Sequence, residues 1–99
     1  MGFVMTQGLA RASAAMATIQ VCFFGKVADR FGRGLSVDIP AEGCSLSWLR
    51  GQLADQTEGG AEALGERGLR AAVDHQIVGD QAWISPGQEV AFLSMFSGG

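Results

Sequence analysis

The 99-residue chain is poor in the residues that most often build catalytic or metal sites: it has two cysteines and one histidine. Cys22 and Cys44 stand far apart in sequence, and His75 is the one further nitrogen ligand. A zinc site needs four clustered ligands, which Cys and His cannot supply here. The cysteines read as two reduced thiols of a cytosolic protein, with Cys22 a small hydrophobe inside a strand, rather than as a disulfide. No apolar run approaches the roughly 20 residues needed to span a bilayer, so a membrane partner is not expected. The seven basic residues are scattered singly against ten acidic ones, for a formal charge of −3. Without a basic patch or arm, nucleic acid is not expected as a partner either. Apolar residues nevertheless make up 47% of the chain, enough for one globular domain burying about 60–65% of its unfolded surface.

Residues 1–17 (MGFVMTQGLARASAAMA) differ in character from the rest of the chain. They are rich in Ala, Met and Gly, carry one charge at Arg11, and show no helical or strand period. A secretory signal would need a basic start and a longer apolar core. The stretch reads as a disordered N-terminal extension without chemistry, 18–96 as the folded domain, and 97–99 as a flexible C-terminal arm.

Within the domain, residues 19–24 (IQVCFF) are β-branched and aromatic and predict a first strand that Gly25 ends. Residues 27–32 predict a helical turn with Val27 and Phe31 on one side. Residues 34–40 alternate at period two, sending Leu35, Val37 and Ile39 to the core and Ser36 and Asp38 to water, and Pro40 closes the strand. Ser45 is a good N-cap for a helix over 46–54, where Leu46, Leu49 and Leu53 recur at i, i+3 and i+7. Gly51 weakens this helix by about 0.8–1 kcal/mol relative to Ala, a sign either of close backbone packing or of simple tolerance. Trp48 is offset from the stripe and belongs at the core edge. Residues 57–68 (TEGGAEALGERG) predict a loop with one helical turn. They lack the Lys-Ser/Thr of a P-loop, and their glutamates would repel phosphate. Residues 69–74 predict a third strand, turning at His75-Gln76 into a short fourth one at Ile77-Val78. Gly79-Asp80 is a turn, Trp83-Ile84 an apolar step, and Ser85-Pro86-Gly87 a further turn. The last strand, 89–94, puts Val90 and Phe92 on one face and Ala91 and Leu93 on the other, so it is either central or carries an exposed patch. The resulting order, β-β-α-β-β-β, makes the first strand and a late strand parallel neighbours in a mixed sheet with the helix on one face, an α+β architecture.

The last strand is followed by Met95, Phe96, Ser97, Gly98 and Gly99. A Gly-Gly arm lacks Cβ atoms, adopts almost any φ/ψ, and passes through a channel that side chains would block. At roughly 3.3–3.6 Å per extended residue, residues 97–99 could carry a terminal carboxylate about 10 Å from the fold. The terminus therefore reads as the functional group and the remainder as its carrier.

Four phrases in order support that reading: Val21-Cys22-Phe23-Phe24-Gly25-Lys26-Val27, Leu69-Arg70-Ala71-Ala72-Val73-Asp74, Pro86-Gly87-Gln88-Glu89-Val90-Ala91-Phe92 and Ser97-Gly98-Gly99. Together they resemble the small subunit of molybdopterin synthase, a sulfur-carrier family, over residues 18–99. The resemblance implies a ubiquitin-like β-grasp fold, a mixed sheet of about five strands with one main helix packed across it. It also implies that an E1-like adenylating enzyme, using ATP in trans, activates the carboxylate of Gly99. A persulfide sulfur donor then leaves a thiocarboxylate there. The carrier, itself non-catalytic and without a bound cofactor or metal, docks on the large catalytic subunit in a heterotetramer of two plus two. Its sulfur attacks cyclic pyranopterin monophosphate in molybdenum cofactor biosynthesis. By position, Gly99 matches the sulfur-bearing residue, and Ser97 and Gly98 form the arm. Phe24 and Leu93 match positions that present apolar surface to partners, with plain core packing as the alternative for both. Ser94, Met95 and Phe96 stand where relatives often carry prolines, and Met95 and Phe96 offer adaptable apolar contact instead. The setting implied is cytoplasmic.

Three rival readings differ in the fate of the terminus. A thiazole-pathway sulfur carrier would share the activation chemistry and differ in the acceptor. A ubiquitin-like modifier would join Gly99 to a lysine, and a non-covalent interaction module would tolerate loss of the glycines.

Overall fold

The computed structural model describes residues 16–94. The expectations for 1–15 and for Met95, Phe96, Ser97, Gly98 and Gly99 lie outside these residues. The strand β1, Met16–Phe24, alternates as its sequence dictates, with Ile19, Val21 and Phe23 buried and Cys22 and Phe24 turned the other way. Phe24 leads into a 3-10 turn, Gly25–Val27, and a short helix α1, Ala28–Phe31. The chain returns in β2, Gly34–Pro40, antiparallel to β1, with Val37 and Ile39 buried and Ser36 and Asp38 exposed. The two-residue β3, Cys44–Ser45, precedes the main helix α2, Leu46–Gln56. The Ser45 hydroxyl accepts the Trp48 backbone N–H at 3.1 Å, the N-cap bond expected of serine. Leu46, Leu49 and Leu53 are fully buried, so the leucine stripe is the face that seals the core.

A second short helix α3, Gly60–Leu64, leads to β4, Leu69–Val73, followed by β5, Gln76–Val78, β6, Trp83–Ile84, and β7, Glu89–Ser94. The main sheet has the order β2-β1-β7-β4-β5, with β1 and β7 parallel and the remaining pairs antiparallel. This is a ubiquitin-like β-grasp fold, with β7 in the middle of the sheet and α2 packed across one face. Phe23 joins the layers: its ring stacks on Phe31 at 4.7 Å and on Phe92 at 5.8 Å between centroids. Such pairs add about 0.5–1.5 kcal/mol each beyond the area they bury.

Three local details depart from the sequence reading. β1 begins at Met16, inside the stretch that composition set apart as an extension, because Met16 and Ala17 continue the ladder opposite Pro40 and Ile39. The two-residue turn between β4 and β5 is Asp74-His75, not His75-Gln76, since Val73 pairs with Gln76. Both turn residues have positive φ, 49° and 73°, as the hairpin turn that matches strand twist requires. Finally, Cys44 and Trp83 belong to a small second sheet, β3 against β6. Gly43 makes it fit: at φ +98° a Cβ there would meet the Trp83 indole Nε1 and would lie 2.6 Å from the Ile84 carbonyl oxygen.

Candidate functional site

Helix α2 covers one face of the sheet, and among the described residues nothing comparable covers the other. Register shows which side chains share that open face, since directly paired residues point the same way. Cys22 pairs with Ala91, Ala91 with Ala72, and Ala72 with Ile77, giving one row across β1, β7, β4 and β5. The next row, toward the end of β7, is Phe24, Leu93 and Arg70. Phe24 is 54% exposed and Ile77 60%, unusual for residues of this size, while Leu93 and Ala91 are half-buried between them. Together they line a shallow groove of about 260 Å³. Phe24 and Leu93 thus sit side by side on the open face, on the side of the sheet away from α2.

The opposite end of the groove is polar. Glu89 lies 3.6 Å from the Cys22 thiol and 3.8 Å from the His75 imidazole. Desolvation first, then the hydrogen bond to Glu89 and its negative charge, raise the Cys22 thiol above its ordinary pKa. Cys22 is therefore a poor thiolate at neutral pH, the opposite of a reactive cysteine. Asp74 accepts the Glu89 backbone N–H and the Gln88 side-chain amide, both at 3.0 Å, and these bonds hold its carboxyl below the usual range. His75 is a solvent-exposed turn residue, with 88% of its side chain accessible. Among the described residues, no group of three or more His, Cys, Asp or Glu is placed to hold a metal ion, and no helix is long and apolar enough to cross a membrane.

The point where the chain leaves the sheet is tightly built. Ser94, the last residue of β7, pairs with Leu69 and follows the Phe24–Leu93 pair directly. Its hydroxyl accepts the Val27 backbone N–H at 2.8 Å, tying the end of β7 to the 3-10 turn. Gly25 allows that approach: its φ is +82°, and a Cβ there would lie 3.0 Å from both the Cβ and the carbonyl oxygen of Ser94. Ser94, the last described residue, thus lies at the end of the central strand beside the apolar row.

The sequence profile of the ThiS family matches residues 21–99, nearly the whole described domain and the glycines beyond it. The chain belongs to the ThiS family. Proteins of this family are ubiquitin-like sulfur carriers that work with partner enzymes. Comparison with curated protein sequences gives no match. Among solved structures, this ThiS-family chain is similar to the HVO 2177 protein of Haloferax volcanii, with a TM-score of 0.71 and 15% identity over 86% of this chain and 89% of that one. It is also similar to SAMP1 of Haloferax volcanii, at a TM-score of 0.60 and 19% identity over 84% of this chain and 100% of the other. A second structure of that small archaeal modifier protein 1 gives the same TM-score at 18% identity, over 81% and 99% of the two chains. At these identities the likeness is one of fold.

Five members of the open face, Cys22, Arg70, Ala72, Ile77 and Ala91, are missing from the set that the sequence marks as an interface. A signal existed: Arg70 is the one charged residue of its strand, and Ile77 is a β-branched residue beside a turn. Neither places them beside Leu93 and Ala91 without the β4–β7 register.

Proposed function

We propose that this ThiS-family chain is the sulfur-carrier subunit of a molybdopterin synthase. Gly99 carries the carboxylate that is adenylated by an E1-like enzyme with ATP and converted to a thiocarboxylate by a persulfide donor. The observation that carries the reading is the continuity between the open apolar face and the end of β7. A protein that docks on Phe24, Leu93 and Ala91 has Ser94 at its edge, and the sequence after Ser94 closes in Ser97, Gly98 and Gly99, free of branched side chains. The family match, which extends through Gly99, supports the carrier role, and the four sequence phrases that resemble the small subunit support the choice of acceptor.

In this reading the chain contributes docking and delivery. Activation makes the carboxyl carbon electrophilic; attack by the donor's terminal sulfur expels AMP and forms an acyl disulfide. A second thiol then attacks the donor's inner sulfur, leaving the thiocarboxylate on Gly99 and the donor as a disulfide with that thiol. The ionised thiocarboxylate is a soft nucleophile at neutral pH, as a thiolate is. Acid–base groups and the binding pocket for cyclic pyranopterin monophosphate belong to the large subunit, and Met95 and Phe96 add adaptable contacts at the channel mouth. The modifier name of the Haloferax SAMP1 structures supplies the second reading, an isopeptide bond from Gly99 to a lysine.

A single-turnover experiment separates these readings. The thiocarboxylated chain is mixed in turn with the large catalytic subunit plus cyclic pyranopterin monophosphate, and with a thiazole synthase plus its substrates. Sulfur transfer in the first mixture alone supports the proposal. Transfer in the second alone assigns the chain to thiazole synthesis, and higher-mass lysine conjugates without transfer assign it to protein modification.

A further inference from the structure

The row nearest the end of β7 is apolar at Phe24 and Leu93 and cationic at Arg70, the direct cross-strand partner of Leu93. Arg70 is exposed, and among the described residues its one hydrogen bond is from Nη1 to the carbonyl of Leu69 at 3.3 Å. Among the described residues the ion pairs of lysine and arginine are Lys26–Glu66 and Arg50–Asp80, so Arg70 has no carboxylate partner among them. The planar guanidinium offers up to five N–H donors in a fork that fits a carboxylate with two parallel bonds. Beyond the bond to Leu69, these donors have no partner among the described residues.

The signs are also segregated along the face. Arg70 stands at the end where β7 leaves the sheet. Glu89 lies four residues earlier on β7, about 13 Å away at the rise of an extended strand, with Asp74 hydrogen-bonded to its backbone. Between the two ends lie only the apolar side chains of the groove and the un-ionised Cys22. A surface that is positive at one end, apolar in the middle and negative at the other has a direction. Apolar contact alone would bind without fixing orientation, whereas opposed charges fix register and penalise the reversed placement.

We propose that Arg70 is a docking-specificity residue: it pairs with an aspartate or glutamate on the large catalytic subunit, at the mouth of the channel that receives residues 95–99. That pair, with a basic group of the subunit facing Glu89 and Asp74, sets the polarity of docking so that the arm points into the partner's pocket. This rests on the reading of the chain as a sulfur carrier and adds to it the chemistry of the partner's surface.

The test measures binding of the full chain to the large catalytic subunit from the same organism by calorimetry, at several salt concentrations. It compares wild type with Arg70→Leu, Arg70→Lys and Arg70→Glu. Arg70 is exposed, so urea midpoints of the variants stay at the wild-type value and verify folding. Arg70→Glu is expected to weaken binding at least tenfold and Arg70→Leu several-fold, with Arg70→Lys between Leu and wild type. The salt dependence of Kd should flatten for Arg70→Leu. A lysine substituted for one acidic residue at the rim of the subunit's channel should restore binding of Arg70→Glu. Wild-type binding matched by Arg70→Leu and Arg70→Glu at every salt concentration would overturn the inference while leaving the carrier reading intact. Unchanged binding with a raised KM for cyclic pyranopterin monophosphate would overturn it too, by assigning Arg70 to the substrate's phosphate. No binding by the wild type at all overturns the carrier reading and the inference together.

Discussion

Replacing Gly25 by alanine perturbs the one place where the end of the sheet is held against the turn that succeeds β1. The residue has φ +82°, and the new Cβ would lie 3.0 Å from the Ser94 Cβ and carbonyl oxygen. The left-handed backbone costs a non-glycine residue about 1–2 kcal/mol. Relief of the contact must come from backbone, since the crowded atoms belong to the last residue of a central strand. That movement pulls the Ser94 hydroxyl from the Val27 N–H, a 2.8 Å bond with a net value of about 1 kcal/mol. Together the loss is about 2–4 kcal/mol, a large part of the 5–15 kcal/mol that typically holds a domain. Gly87→Ala isolates the backbone share: φ there is +90°, nothing lies within 4 Å of the added Cβ, and the turn closes through Gln88 N–H to the Ser85 carbonyl at 3.2 Å. With an m value of about 1 kcal/mol per M urea, Gly25→Ala should lower the unfolding midpoint by at least about 1 M more than Gly87→Ala. Ser94→Ala, which removes only the acceptor, should fall between wild type and Gly25→Ala. Equal midpoints for the two glycine variants would refute the claim that Gly25 and Ser94 are in contact.

Other expectations come from the same geometry. Phe24→Ala and Leu93→Ala should weaken docking on the large subunit more than tenfold in a pull-down or calorimetric titration while moving the stability of the free chain by about 1 kcal/mol or less, since both face away from the core. Gly51→Ala should stabilise the domain by about 0.8–1 kcal/mol in urea melts, because the Cβ would enter open space at a solvent-facing position of α2. The carboxyl of Asp74 is lowered in the folded state, so its contribution is present above the unfolded pKa and is lost as pH falls through that value toward the folded one. Asp74→Asn should therefore flatten the decline of urea midpoints below about pH 4. At pH 8 a thiol reagent should modify Cys22 slowly and Cys44, raised in pKa by burial, only on unfolding; Glu89→Gln should speed the Cys22 reaction.

The elements that were legible in the sequence are those whose periodicity reports a local choice. Val37 and Ile39 alternate with Ser36 and Asp38 because one side of β2 faces the core, and the leucines of α2 repeat at helical spacing behind a serine cap. A parallel pairing of β1 with a late strand was legible too, because the helical crossover after the first hairpin returns the chain beside the first strand; that the late strand is β7 was not. What was not legible depends on contacts between distant segments. Two-residue strands such as β3 and β6 have no period to read; they exist because Gly43 admits the Trp83 ring. The Asp74-His75 turn was shifted by one residue because its positive φ values are imposed by the ladder between Val73 and Gln76, not by glycine or asparagine. Phe24 and Leu93 could be assigned to a partner or to the core on sequence alone, and only the register put them in one row with Arg70. Gly51 was ambiguous between close packing and tolerance, and the open space around it decides for tolerance.

The central claim, that Gly99 carries transferable sulfur, is tested most directly by intact mass. The chain is incubated with its E1-like enzyme, ATP and a persulfide donor, beside a variant that lacks Gly99. Replacement of one carboxylate oxygen by sulfur is expected in the full chain, and no change in the variant. An unchanged mass in the presence of an activating enzyme shown to consume ATP on the chain would contradict the claim.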